Sequence, residues 1–391
     1  MAREPITFLV LGTGRMAHRH ARALAAIQRD PVVVDGQPLP LRFGVYGRSP
    51  DKAAALVRDT QADFATDHLE GAIGRYDVDV VDNCLVNRLH YAPLMRAIDQ
   101  GKHVFNDKPL GVTLDESVRL RDAAVRAGVR HGMIQNMRFQ AGPAAAKAAL
   151  DAGELGRVFH ARVVFGYFVP SLVTNRPAWF FRPAEAGGGV VHDMLAHFFD
   201  LLGWLIGPIE RVHCLTFQGF AEREDPAGGT FASVADDSCA VNVRFAGGAI
   251  GQVFSSWIRR KHEDIPTIEI DAERGGLLVT ANRAWVQRGD GPLFSYDPAA
   301  EQADVMAGWT PLPVTPADPF EVQLRDFVRA IHAGAIPDPV TGARATPTAA
   351  TARKTACSRV TRGIATGRPY TNGRRGSCIL RLGDGSHPYR R

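Results

Sequence analysis

Residues 6–17 read ITFLVLGTGRMA, and this short stretch decides the fold. The unbroken apolar run from Ile6 to Leu11 is what a strand buried on both faces requires. It stops at Gly12-Thr13-Gly14, and a helical pattern follows, with Met16, Ala17, Ala21, Leu24, Ala25 and Ile27 on the apolar stripe. Strand, glycine turn and helix in that order open a dinucleotide-binding unit. Gly12 supplies the tight turn, Gly14 the close approach of backbone to a pyrophosphate, and Ala17 stands where a third glycine is replaceable. Backbone N–H groups and the dipole at the start of the helix then hold the phosphates, which makes Gly12, Thr13, Gly14, Arg15 and Met16 cofactor candidates.

The pattern continues outward. Strands are expected at Leu41–Tyr46, Val78–Leu85, His103–Asn106 and Val129–Ile134, with helices at about Asp51–Arg58, Tyr91–Gln100 and Leu114–Ala127. Such alternation predicts a doubly wound parallel sheet with right-handed crossovers, a Rossmann domain over residues 1–138. Beyond it the period changes. Val158–Phe168, Ser238–Phe245, Ala249–Ile258, Thr267–Ile270 and Leu277–Thr280 alternate apolar and polar, as antiparallel strands with one packed face do. Helices are expected at about Pro143–Asp151, Val190–Ile206 and Pro319–His332. The last has Asp318 as N-cap, Pro319 at the first helical position and Glu321 in the first turn. The expected fold class is therefore α/β over the first domain plus an α+β domain of antiparallel hairpins at 139–340, followed by a basic tail at 341–391.

The second Rossmann strand bears on the cofactor. Asp35 stands near the distance at which an acidic residue holds the NAD ribose, but Pro38 and Pro40 mark 31–40 as an inserted loop and leave Leu41–Tyr46 as the strand. Gly47-Arg48-Ser49 follows it. A guanidinium and a hydroxyl there suit a 2′-phosphate, so NADP is preferred over NAD, although Arg48 stacked on adenine serves either.

Composition excludes several classes. With 45% hydrophobic and 22% charged residues in 391, the chain is an ordinary globular one of two-domain length. The net charge of +5 comes from the tail, where Thr341–Arg391 holds eleven Lys and Arg against the single acid Asp384, leaving the rest net acidic. A nucleic-acid partner is not expected from such a terminal stretch. Five scattered cysteines form no C-x-x-C pair, no apolar run reaches membrane-spanning length, and the first residues lack a signal layout. A reducing, cytoplasmic setting is expected, with no membrane and no metal. His192 and His197, at i and i+5, do not share a helical face as a metal pair would.

Several motifs then converge: Gly12–Ala17; Asn87-Arg88-Leu89-His90; the run Gly101 to Leu110 containing Asp107-Lys108-Pro109; Asn136-Met137-Arg138-Phe139; and Gly187-Gly188-Gly189 followed by Asp193, His197 and Asp200. Over residues 5–335 the chain resembles the Gfo/Idh/MocA oxidoreductases, relatives of glucose–fructose oxidoreductase and inositol dehydrogenase. The resemblance implies an α/β Rossmann domain plus an α+β domain with a large open, mainly antiparallel sheet, and a site in the cleft between them. It maps the lysine of a Glu-Lys-Pro motif onto Lys108, with Asp107 replacing the glutamate by a carboxylate one methylene shorter, and an Asp-x-x-x-His pair onto Asp193 and His197.

The chemistry agrees. Interconverting a secondary alcohol and a ketone, or a lactol and a lactone, needs a hydride partner and a group for the hydroxyl proton, and histidine titrates in the right range. His197 is the expected acid/base, Lys108 the group that orients the oxygen, and Asp193 the one that holds the constellation. Asn87 and His90 are expected near the nicotinamide, unless His90 packs against the sheet. Asn136, Arg138, Tyr167, Trp179 and Arg182 are the candidate substrate wall, or core packing. The substrate expected is a small sugar, polyol or related cyclic hydroxy compound, and the assembly a homodimer or homotetramer. Two other readings stay open: an NAD-dependent glycosidase or lyase without net redox change, and a non-catalytic NAD(P) sensor.

Overall fold

The computed structural model describes residues 4–169, 176–225, 227–289, 306–333 and 377–381, of which 261–267 and 377–381 are described as backbone alone. The chain divides into two units. The first comprises Met1–Phe139, Ala178–Asp193 and Ala317–Lys354; the second takes the remainder.

In the first unit the opening strand β1 (Ile6–Leu11) leads into α1 (Arg15–Arg29). A hairpin of β2 (Val32–Val34) and β3 (Gln37–Leu39) follows, then β4 (Leu41–Tyr46), α2 (Pro50–Thr60), β5 (Phe64–Thr66) and α3 (Leu69–Ile73). Then come β6 (Val80–Asn83), α4 (Tyr91–Asp99), β7 (His103–Asn106), α5 (Leu114–Ala127) and β8 (His131–Met133). The strands form one parallel sheet in the order β5-β4-β1-β6-β7-β8, so the order reverses between β1 and β6. Ligands bind open α/β sheets at the carboxyl ends of the strands flanking such a reversal, which is where Gly12 lies. Of the expected strands β1, β4 and β7 match end to end, while those expected at Val78–Leu85 and Val129–Ile134 are shorter, at Val80–Asn83 and His131–Met133.

The stretch at 31–40 corrects the reading of it as a loop. Asp35 and Gly36 both have positive φ, 54° and 72°, and join β2 to β3 as a two-residue hairpin turn. Asp-Gly is the dipeptide that this turn favours, since its backbone twist matches that of the flanking strands.

The second unit contains α6 (Ala141–Asp151) and the long strand β9 (Val158–Phe168). The short α7 (Pro183–Ala186) belongs to the first unit, and α8 (Val190–Leu205) starts there; the division falls inside α8, after Asp193. Next come β10 (Ile209–Phe217), the small pair β11 (Glu222–Glu224) and β12 (Thr230–Ala232), β13 (Ser238–Phe245) and β14 (Ile250–Ser256). β15 (Ile258–Ala272), β16 (Gly275–Val279), β17 (Ala284–Arg288) and β18 (Thr310–Pro311) complete the run. With β19 (Ser377–Arg381) on its edge the large sheet runs β18-β17-β16-β15-β9-β14-β13-β10-β19, antiparallel except where β14 lies parallel to β9. Along β13 burial alternates residue by residue, as the sequence period requires, with Cys239, Val241, Val243 and Phe245 inward.

The expected continuous second domain at 139–340 is interrupted. Ala178–Asp193 and the last helix, α9 (Pro319–His332), cluster with the first unit. The reason lies in the stripe of α9: Phe320, Leu324, Phe327 and Val328 are buried in one cluster with Phe8, Val10 and Phe105 of the parallel sheet. Each such side chain contributes roughly 1.5–3 kcal/mol on burial. Gln323 adds direction, donating to the Met133 carbonyl at 2.8 Å and accepting from the Gln135 N–H at 2.9 Å. Asp318 caps the helix as expected, accepting from the Phe320 N–H at 2.8 Å. Of the expected tail, 341–376 and 382–391 lie outside the described residues, and 377–381 is the edge strand β19.

Candidate active site

At the end of β1 the chain turns at Gly12 with φ of 117°, and a Cβ there would stand 3.0 Å from the Cys84 carbonyl oxygen. Gly14 caps α1 with no side-chain cap on the first backbone N–H groups, nothing among the described residues lies within 4 Å of its Cβ position, and no acidic residue occupies the first turn. This open helix start fits a diphosphate in shape and in charge. Arg15 is exposed and Met16 and Thr13 are half-buried beside it. At the end of β4, Arg48 is exposed, and the Ser49 hydroxyl, at the N-cap of α2, makes no cap hydrogen bond.

Beneath that turn, His20 of α1 and Asp82 of β6 form a fully buried pair, the ring Nδ1 lying 3.0 Å from each carboxylate oxygen. Burial opposes a charged ring, but Asp82, with a smaller contribution from Asp107, outweighs it and raises the His20 pKa. Cys84 adds its Sγ 3.8 Å from Asp82, and burial foremost pushes this thiol well up. The three side chains bring ligand-type atoms within 4.8 Å of one another. The apolar pattern of α1 gave no hint of His20, because a histidine on a buried stripe declares itself only once its partner strand is in place.

The next strands deliver the ionisable centre. Asp107 and Lys108 follow β7 at its carboxyl end, and the Lys108–Pro109 bond is cis. Asp107 is buried, and its Oδ1 accepts from the Lys108 N–H at 2.9 Å. The Lys108 ammonium binds Asp193 twice, at the carboxylate and, at 3.1 Å, at the main-chain carbonyl. Both side chains are largely buried, at 18% and 11% exposure, where such a pair is little screened. His90 is completely buried, with Nδ1 2.7 Å from the Pro109 carbonyl and Nε2 3.0 Å from that of Leu85. Burial leads in holding its pKa below the usual value. Asn106 donates to Pro109 at 3.1 Å, so His90 and Asn106 together hold the loop that carries Lys108.

Asn87, in a short 3₁₀ turn after β6, donates to the Ala186 carbonyl at 2.7 Å, fastening the segment that leads into the glycines. Arg88 pairs with Glu185 at 3.4 Å, and Arg182 bonds the same carboxylate at 3.2 Å. Glu185 was not singled out by its sequence context, since nothing local marks it as the partner of two arginines. Trp179 is half-buried in the turn Ala178–Phe181, edge-on to Phe180. Asn136 and buried Arg138 lie in the turn after β8. These residues share the first unit with Lys108 and Asp193. Tyr167 and His197 belong to the second. Tyr167, on β9, accepts from Arg176 at 2.7 Å, and His197 is buried on α8, one turn past Asp193.

Gly187 and Gly188 make room for a neighbouring side chain. A Cβ on Gly187 would stand 2.3 Å from His192 Nε2, and one on Gly188 2.9 Å from His192 Cβ. Gly187 also has φ of 94°. The His192 ring fills the space under the turn. Burial first, then the Lys108 charge, pull its pKa down to about 4 against the opposing influence of Asp193 and the Gly111 backbone.

Residues 6–135 match the family model described as an oxidoreductase family with an NAD-binding Rossmann fold, and residues 144–278 match the GFO/IDH/MocA C-terminal domain. The protein is thus an oxidoreductase, a dehydrogenase or reductase of CH–OH groups, built on an NAD-binding Rossmann domain. It belongs to the GFO/IDH/MocA family. It is 28% identical over 340 residues to D-xylose dehydrogenase of Paenarthrobacter nicotinovorans, spanning 82% of this chain and 87% of that one. To levoglucosan dehydrogenase of Pseudarthrobacter phenanthrenivorans it is 27% identical over 328 residues, 80% of each chain. In fold it is similar to a levoglucosan dehydrogenase structure in complex with NADH and L-sorbose, with TM-score 0.75, 24% identity, and 92% and 94% of the two chains covered. Among the described residues no helix is long and apolar enough to cross a membrane.

Proposed function

We propose that this oxidoreductase acts on a sugar, polyol or related cyclic hydroxy compound, interconverting a secondary alcohol and a ketone or a lactol and a lactone. The observation that carries this reading is the Lys108–Asp193 pair at the carboxyl end of a strand in the nucleotide-binding sheet. D-Xylose dehydrogenase and levoglucosan dehydrogenase among the relatives favour a sugar. When bound, the nicotinamide ring supplies the hydride acceptor or donor. Gly12 to Met16 would hold the pyrophosphate, Asp107 would stand near the cofactor ribose, and Asn87 would line the nicotinamide end. Lys108 directs its ammonium at the substrate oxygen and stabilises developing alkoxide character, and Asp193 sets the position of that ammonium. His197, at i+4 from Asp193 and so on the same helical face, exchanges the hydroxyl proton. Asn136, Arg138, Tyr167, Trp179 and Arg182 are the proposed substrate contacts, and no metal takes part.

NADP is the preferred cofactor in this reading, supported by exposed Arg48 and the uncommitted Ser49 hydroxyl, with Asp35 spent on the hairpin turn. The assembly is a homodimer or homotetramer. Support comes from the outer face of the large sheet, where Leu215, Ala240, Phe254 and Val164 stand in one cross-strand row and Leu215 and Phe254 are exposed. A cytoplasmic setting agrees with the free, buried thiols of Cys84 and Cys239. The test is nicotinamide absorbance with a panel of sugars, inositols and keto-sugars, D-xylose and levoglucosan included, under both cofactors. Stoichiometric reduction of the cofactor is expected. Bond cleavage without net reduction would point to the glycosidase or lyase reading, and cofactor binding without any turnover of the panel to a sensor.

A further inference from the structure

We infer that His192 is a positioning residue of the active centre: its ring, seated beneath the Gly187–Gly188 turn, fixes the Lys108–Asp193 pair and acts through Lys108 without touching substrate. The inference rests on the role proposed above for Lys108. Two segments far apart in sequence meet at this ring. One is the loop after β7 that carries Lys108, whose Gly111 backbone faces the imidazole. The other is the glycine turn that delivers Asp193, the residue next to His192, and here the ring occupies the space a side chain at 187 would need. Asn87 fastens the same turn through the Ala186 carbonyl. The imidazole thus lies between the glycine turn and the Gly111 backbone, and joins the two segments that carry Asp193 and Lys108.

The ring is also of the right kind. Its Nε2 is buried with no hydrogen-bond partner among the described residues, which is unfavourable for a polar atom. The charged and titratable groups facing it are Lys108, Asp193 and His90, and among these a neutral ring lets the ammonium stay on Asp193 where a charged ring would repel it. A shift of about 1 Å in a catalytic group costs on the order of 100-fold in rate, so the spacer need only be slightly wrong to matter.

The test compares His192→Ala, His192→Asn, Lys108→Met and the His192→Ala/Lys108→Met double variant. Turnover is followed with D-xylose or levoglucosan, cofactor affinity by NADH fluorescence, and the pair itself in crystals of the two His192 variants. His192→Ala is expected to lower kcat by about 10- to 100-fold with the NADH Kd within about twofold, and His192→Asn to recover part of the loss. In the Lys108→Met background the same alanine change is expected to cost nothing further, since both act through one group. In crystals the ammonium leaves Asp193 in His192→Ala and stays in His192→Asn. Equal losses in both backgrounds, unchanged kcat, or an unmoved Lys108–Asp193 pair in His192→Ala would overturn the inference. The underlying reading fails separately, if Lys108→Met alone keeps full turnover. Should the alanine variant not fold, His192→Asn in both backgrounds gives the same comparison.

Discussion

Lys108 holds Asp193 through a side-chain and a main-chain contact at once, and the residues around that pair divide into those a reader of the sequence can find and those only the fold reveals. Lys108 and Asp193 can be singled out in the sequence because their motifs are local: a lysine before a proline at a strand end, and an aspartate one helical turn before a histidine. His192 is not, since what it touches, Gly111 and Gly187, comes from separate segments. Its titration gives a prediction with a definite sign. Folded His192 titrates at about 4, below the ordinary histidine value of 6.5, so between those pH values the unfolded chain binds a proton that the folded one does not. Stability therefore falls as pH drops through that window, by up to about 3 kcal/mol. His20 acts in the opposite sense, with a raised pKa, and its contribution is lost as pH rises through the folded value. Urea unfolding at a series of pH values is expected to show a shallower acid limb in His192→Asn and a shallower alkaline limb in His20→Asn. At the cofactor end, Arg48→Ala is expected to lower kcat/KM with NADP by about tenfold or more and leave that with NAD within about twofold, the loss of one charge-assisted phosphate contact.

Elements were readable wherever their period was unbroken. β1, β4 and β7 fall where the apolar runs predict, and α5 and α9 end to end. The hairpin at 32–39 was hidden by two prolines, which suggested a loop, although Asp35-Gly36 carried the turn signal. Where α9 would pack could not be read from its own stripe, because an amphipathic helix states that it covers something and not what. It covers the parallel sheet. Leu324 is fully buried there, and Leu324→Ala is expected to lower unfolding free energy by about 2–5 kcal/mol, measured by urea denaturation. A loss below about 1 kcal/mol would mean that α9 contributes little to the first unit's core.

On the scale of the whole molecule, the sequence shows a change of period near residue 139 and carries no sign of the interleaving of the two units. The first is assembled from three separate stretches, because 178–193 and 317 onward return to it through packing and hydrogen bonds rather than through any composition change. The proposed self-association belongs at this scale too. Leu215→Glu with Phe254→Glu places two charges on the exposed apolar row and is expected to shift the protein to a monomer by light scattering, with the unfolding midpoint of each subunit little changed. An unaltered mass would place the contact elsewhere. The measurement that tests the central claim most directly is the rate of nicotinamide reduction with the sugar panel, wild type against Lys108→Met, alongside NADH affinity for both. Turnover by the wild type, lowered at least about 100-fold in the variant with NADH affinity within about twofold, is the predicted result. Equal turnover by both proteins would contradict it.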